Sequence, residues 1–199
     1  MGVENGGVSS YRLTIDQLQA VVERARDNDA NAWEALYRHS YGRLVTYAQR
    51  RLQSPALAED AVSDTFARAI ERIDTFTWQG AGFDAWIYGI LRNVVLETYR
   101  SRDLSHQRLE NNYTESAALV DLTEISSGLE RAEEIQRLRR AFGSLGPDDR
   151  EILELRVVGG MSSDAVAEVI GKGPGAVRMA QSRALQRLRS ALKELDNAH

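Results

Sequence analysis

Residues 162–195 constrain the fold of this chain more than any other stretch. Ser162 and Ser163 are good helix caps, Asp164 follows where a helix N-terminus favours negative charge, and Ala165-Val-Ala-Glu-Val-Ile170 forms a short helix with an apolar side. Gly171 stops that helix, and Pro174 stands where the first helical position tolerates a missing N–H. A long helix then runs to about Leu195, with Val177, Ala180, Ala184, Leu188 and Leu192 recurring on one face. Two helices around a glycine turn, the second one long, make a helix-turn-helix signature.

The other face of the long helix carries Gly175, Arg178, Met179, Ser182, Arg183, Gln186 and Arg189, and from Lys172 to Lys193 there are six basic residues and no acidic one. Solvated helices normally mix both signs for i,i+4 pairing, so a one-sign face points to an anionic partner. Read as a recognition helix in the major groove, Arg178 or Arg183 reaches a guanine edge while Lys172, Arg187 and Arg189 hold phosphates. The plainer alternative is a solubilising basic face. The net charge of −4 argues against a protein that binds DNA strongly along its whole surface. Segregated charge, acidic upstream and basic at the C-terminal helix, reconciles the two, and it makes tight DNA binding depend on a partner that supplies further phosphate contacts.

The rest of the chain is read as helical. Residues 14–26 begin a helix with Thr14 or Asp16 as cap, and Asp27-Asn-Asp29 interrupts the pattern. In the next helix Trp33, Leu36, Tyr37, Tyr41, Leu44, Ala48 and Leu52 recur at helical steps, which makes its tyrosines and Trp33 packing residues. Ser54-Pro55 opens a third helix with Val62, Phe66, Ile70 and Ile73 expected inward and Glu59, Asp60 and Asp64 clustered on the other face. Those carboxylates lack any accompanying histidine, nucleophile or phosphate loop, so acid–base chemistry is not expected of them.

Residues 75–82 form a loop with Phe76 and Trp78, followed by a helix expected over 83–102 that buries Ile87, Leu91, Val94 and Val95. Trp78, Trp86, Arg92, Asn93, Tyr99 and Arg100 interleave aromatic and polar or basic groups there, which is what an unpaired DNA strand needs: a π-face for a base and cations for the backbone. A core role competes for Trp86 and Phe83. Residues 103–130 lose periodicity, carry six acidic residues against one arginine and read as a linker. Helices resume over 131–142, with Ile135, Leu138 and Phe142 inward, and over 147–158, with Ile152, Leu155 and Val158 inward. The expected fold is all-α: a flexible N-terminus (1–13), a helical domain (14–102), the linker (103–130) and the helix-turn-helix domain (131–199). The absence of cysteine excludes disulfides and thiolate sites, and His39, His106 and His199 offer no metal-ligand spacing, so no cofactor or metal is expected. With no signal-like start and no run of about 18 apolar residues, the chain reads as a cytoplasmic protein without membrane insertion.

The order of these parts resembles the extracytoplasmic-function group of bacterial RNA polymerase sigma factors, in the sigma-70 family. Ala32-Trp-Glu-Ala-Leu-Tyr37, Ala58-Glu-Asp-Ala-Val-Ser-Asp-Thr-Phe66 and Phe83-Asp-Ala-Trp-Ile-Tyr-Gly-Ile-Leu-Arg-Asn93 are similar to parts of sigma region 2. Leu145-Gly-Pro-Asp-Asp-Arg-Glu-Ile-Leu153 and Gly175-Ala-Val-Arg178 are similar to region 4. The resemblance implies that Glu59, Asp60, Asp64 and Phe66 dock on core RNA polymerase. It implies that Trp78, Trp86, Arg92 and Asn93 take the melted −10 element, and that Arg178, Ser182 and Arg183 read the duplex −35 element. Ser63 stands where the family usually has Gln, and Ala180 where it often has a basic residue. An anti-sigma partner wedged between or wrapped around the domains is expected as well. Two rival readings are a sigma mimic that only sequesters an anti-sigma protein and a stand-alone helix-turn-helix regulator. The first leaves the basic helix unused; the second leaves the acidic helix and the loop aromatics unused.

Overall fold

The computed structural model describes residues 12–78, 82–106 and 129–197, which form eight α-helices and one 3₁₀ turn and, among the described residues, no strand. The expected N-terminal segment up to residue 11, residues 79–81 of the loop and residues 107–128 of the linker lie outside them.

Local chemistry sets the helix ends. Helix α1 (Ile15–Arg26) begins at a capping box in which Thr14 Oγ1 accepts from the Gln17 N–H while Gln17 Oε1 accepts from the Thr14 N–H. Asp29 caps α2 (Ala30–Leu52), and Ser54 caps α3 (Pro55–Arg72), whose first residue is proline. A 3₁₀ turn over Ile73–Thr75 leads through the aromatic loop to α4 (Gly82–His106), four residues longer than the expected 102. After the linker come α5 (Leu129–Gly143), α6 (Pro147–Val157), α7 (Ser163–Ile170) and α8 (Pro174–Asn197).

Helices α1–α4 pack as one bundle and α5–α8 as a second, with α8 at its centre. The two share one core. Helix α7 lies against α4, and Ile152, Leu155, Met161, Val166 and Val169 belong to the same packed cluster as Leu44, Phe83, Leu91 and Val94. That shared packing explains why Tyr88 and Ile90 of α4 are buried along with the four residues expected to face inward. Leu153, in contrast, points into a smaller cluster with Leu145 and Ala184 against α8.

Three expectations about inward faces are corrected. Tyr37 of α2 is 41% exposed, stacked on Tyr41 at the surface. Ile70 is 48% exposed, because α3 turns Ala58, Ala61, Thr65 and Ala69 to its neighbours, small residues that let helices approach closely. Leu138 is 44% exposed: α5 covers α8 with only part of its apolar side, and Leu138, Phe142, Leu153, Val157 and Leu188 line an apolar groove of about 230 Å³.

Candidate nucleic-acid interface

The helix-turn-helix is built as its sequence dictates. Ser162 Oγ accepts from the Ala165 N–H at 3.1 Å, and Gly171 takes the left-handed conformation (φ 67°) that ends α7. Val177 and Ala184 are fully buried and seat α8 on the bundle. Opposite them Arg178, Ser182, Arg183 and Arg189 are exposed, and Met179 is 62% exposed. The guanidinium of Arg178 lies 3.8 Å from Asp164, a loose surface pair that leaves it available.

Two expected phosphate contacts are engaged within the protein. Arg187 is hydrogen-bonded to Asp149, a carboxylate that is itself buried, and Lys172 Nζ lies 3.3 Å from Asp148 Oδ2. Both partners stand in the first turn of α6, where backbone N–H groups favour carboxylates, so these cations tie α8 and its turn to α6.

In the first bundle the loop aromatics assemble around Phe76. Its ring lies 5.2 Å from Trp78, 5.2 Å from Trp86 and 6.0 Å from Phe83 in edge-on or tilted contacts. Phe76 and Phe83 are buried, which leaves Trp78 and Trp86 half-buried at the rim. Gly82 has φ 67°, and a Cβ there would meet the Trp78 ring at 3.2 Å, so the close seat of Trp78 requires glycine. Thr75, Thr77, Trp86, Gly89 and Asn93 line the adjoining groove of about 450 Å³, closed on one side by Glu168 and Val169 of α7. The Trp78 indole N–H is buried nearby without a hydrogen-bond partner.

The other residues expected to meet an unpaired strand divide. Asn93 and Arg100 are exposed and line a polar groove with Arg68, Arg72 and Glu97. Tyr99 donates its hydroxyl to the Arg51 carbonyl, which fixes the ring on α2. Arg92 Nε donates to Glu151 Oε1 at 3.0 Å, so α6 already holds it.

On α3, Glu59 and Asp60 are exposed, and Asp64 pairs with Arg68 at 2.9 Å. Phe66 is buried, as its place in the apolar stripe of α3 predicts: it stands one helical turn beyond Val62 with its ring 4.9 Å from Tyr37, and so lies beneath the acidic surface to which the resemblance assigns it.

Sequence reasoning missed the seam between the bundles. Tyr47 donates its hydroxyl to Glu151 Oε1 at 2.9 Å, Arg51 Nη1 meets Glu154 Oε2 at 2.5 Å, and Arg43 donates to the Gly159 carbonyl at 3.1 Å. Glycine at 159 is required by the turn that ends α6, since a Cβ there would sit 2.5 Å from the Leu155 carbonyl oxygen. Beside the seam Asp84 accepts from His39 Nε2 at 3.1 Å and from Arg43 at 2.9 Å. Burial would raise the Asp84 pKa, but the His39 and Arg43 hydrogen bonds and the Arg43 charge outweigh it and hold the carboxyl down to about 2. Among the described residues no cluster of three or more His, Cys, Asp or Glu could hold a metal, and no helix is long and apolar enough to cross a membrane.

Comparison with known proteins accounts for the two bundles. Residues 36–104 match the family described as Sigma-70 region 2, and residues 135–188 match Sigma-70, region 4. The ECF RNA polymerase sigma factor BldN of Streptomyces coelicolor is 33% identical over 186 residues, covering 89% of this chain and 67% of that protein. The ECF RNA polymerase sigma factor SigD of Mycobacterium tuberculosis is 29% identical over 193 residues, covering 92% and 87%. Among solved structures, the sigma factor RpoE of Bartonella quintana, in complex with the anti-sigma factor NepR, superposes with a TM-score of 0.59 at 26% identity over 89% of this chain and 95% of that one. CnrH, in complex with the cytosolic domain of CnrY, shares the fold at a TM-score of 0.62 and 22% identity, covering 88% and 97%. Matched in both regions, in order and along most of its length, the chain belongs to the ECF RNA polymerase sigma factors.

Proposed function

We propose that the chain carries core RNA polymerase to promoters by reading two DNA elements with two separate surfaces, and that it has no catalytic activity of its own. The observation that carries this reading is the exposed face of α8. Arg178, Met179, Ser182 and Arg183 stand open on a helix whose opposite side is buried, which is the geometry a major-groove reader needs. These four take the −35 duplex, with Arg189 on the phosphates; Lys172 and Arg187 support the helix from α6. The groove beside Trp78, Trp86 and Asn93 takes a base of the melted −10 strand, with Arg100 and Arg92 on its backbone and Tyr99 holding the neighbouring surface. Glu59, Asp60 and Asp64 form the acidic surface for core polymerase, with Phe66 supporting it from beneath. The work is done in the cytoplasm, where the polymerase is. An anti-sigma protein belongs among the partners, on the analogy of RpoE of Bartonella quintana in its complex with the anti-sigma factor NepR.

The test is run-off transcription from a random promoter pool with core polymerase, with and without the chain. The expected result is transcripts that share a −35 and a −10 sequence only when the chain is present. A stand-alone regulator would instead retard duplex DNA unaided and give no such transcripts.

A further inference from the structure

Helix α4 carries two grooves side by side. The groove beside Trp86 and Gly89 reaches Ile90 and Asn93, and the same two residues line the polar groove of about 150 Å³ between α3 and α4. Arg68 and Arg72 of α3 and Arg100 of α4 line that second groove. Asn93, Arg72 and Arg100 are exposed. Arg100 follows Asn93 after two helical turns, about 10 Å along α4. A nucleotide whose base enters the first groove has its phosphates beside that groove, which is where the arginines stand.

The three arginines are not equivalent. Arg68 is engaged: its two terminal nitrogens donate to the two Glu97 oxygens at 3.1 and 2.7 Å, and Nη2 also lies 2.9 Å from Asp64. The Arg68 hydrogen bonds hold the Glu97 carboxyl below its usual pKa range, and the charges of Arg100 and Arg72 add to that effect. Neither Arg72 nor Arg100 forms an ion pair of its own among the described residues. Arg72 also stands one turn beyond Arg68 on α3, a spacing at which like charges repel. A face that served solubility alone would place a carboxylate there, so the arrangement favours an anion from outside the chain. The planar fork of arginine suits phosphate oxygens in particular.

We infer that Arg72 and Arg100 form a phosphate seat for the strand whose base enters the Trp78–Trp86 groove, with Asn93 on the ridge between base and backbone. Glu97 is a positioning residue that keeps Arg68 occupied and so leaves the seat to the other two arginines. Helix α3 then serves two partners: Glu59 and Asp60 near its start face polymerase, and Arg72 at its end faces DNA. The seat also sets the path of the strand, which leaves the base groove along α4 towards Arg100 rather than back over Thr75 and Thr77. The inference rests on the reading given under Proposed function, which puts Arg100 on the strand backbone and gives α3 to polymerase alone.

The test uses the full chain assembled with core polymerase. Its probe is a fork, a duplex −35 element joined to a single-stranded −10 non-template strand, with the sequence taken from the run-off selection. Abasic sites placed one at a time locate the captured base. Methylphosphonates, each of which removes the charge of one phosphate, are then placed one at a time along the same strand. The unaltered chain is expected to lose about tenfold in fork binding at phosphates adjoining the captured base. Arg72→Ala is expected to cost a similar factor on the unmodified fork, to lower the log–log salt slope by about 0.7, and to be indifferent to those same methylphosphonates. Arg72→Lys restores part of the binding, and affinity for core polymerase stays unchanged in both variants. Arg72→Ala that weakens fork binding yet keeps full sensitivity at those phosphates overturns the seat. So does unchanged fork binding, and so does a loss of polymerase affinity, which would place Arg72 on the polymerase surface. Melting curves check the fold, and if Arg72→Ala melts early, Arg72→Gln makes the same comparison. A fork on which no abasic site matters defeats the underlying reading of the groove, whereas a captured base with no phosphate coupled to Arg72 defeats the seat alone.

Discussion

Asp84 shows how much one side chain holds in place. It lies in the first turn of α4, where a carboxylate is favoured, and bridges α4 to α2 through His39 and Arg43. His39 Nδ1 accepts the Leu13 N–H at 3.0 Å, which leaves the ring proton on Nε2, facing Asp84. One half-buried carboxylate thus orients the histidine that receives the N-terminal backbone and the arginine that reaches Gly159. Because the folded-state pKa is held near 2, below the ordinary 3.8, this stabilisation is complete above pH 3.8 and is lost as pH falls through 2. A depression of that size corresponds to about 2 kcal/mol. Asp84→Asn is expected to lower unfolding stability by about 2 kcal/mol at pH 7, and the difference from the unaltered chain should shrink between pH 4 and pH 2. Urea titrations across that range check both statements; a gap independent of pH would mean that packing, rather than charge, is what the substitution removes.

At the scale of the element, α8 combines two kinds of arginine. Arg178 and Arg183 are exposed, whereas Arg187 is bound to the buried Asp149. Arg178→Ala and Arg183→Ala are each expected to cost about 1–3 kcal/mol in promoter discrimination while core-polymerase binding stays intact, and Asp60→Ala to weaken polymerase binding while the isolated chain keeps its fold. Run-off transcription on matched and mismatched promoters, with polymerase pull-down, checks the separation. Arg187→Ala should instead lower thermal stability, by about 1–3 kcal/mol, because it strands a buried carboxylate. Melting curves tell the two kinds apart. The sequence carried the helix-turn-helix almost completely, since caps at Ser162 and Gly171 and an apolar stripe through Val177 and Ala184 act over a few residues. It could not separate Arg187 from Arg183, because the difference lies in Asp149, 38 residues away in the chain. Phe66 and Ile70 were hard to place for a similar reason: both fit one apolar stripe on α3, and only the neighbouring helices decide which of them is covered.

For the molecule as a whole, the two regions share one core although each has a helical framework of its own. Glu151 and Glu154 carry no local signal in the sequence, because their partners Tyr47 and Arg51 lie more than a hundred residues earlier in the chain. Ile152 and Leu155 lie beside these carboxylates and join the cluster that spans both regions, while Leu153 on the far side of α6 packs with α8. Helix α6 therefore has one face for each neighbour, and the face toward α2 and α4 is what makes the chain one unit. The free chain is expected to melt in a single transition, with calorimetric and van't Hoff enthalpies equal. Leu155→Ala removes a fully buried side chain from the shared cluster and should cost about 2–5 kcal/mol. If the seam couples the regions, that loss falls on the coupling, and the calorimetric enthalpy should then exceed the van't Hoff enthalpy as the two regions melt apart. A single transition moved to lower temperature would instead place Leu155 in the core of the second bundle alone, with the polar row of Arg50, Arg51 and Arg92 sufficient to hold the regions together.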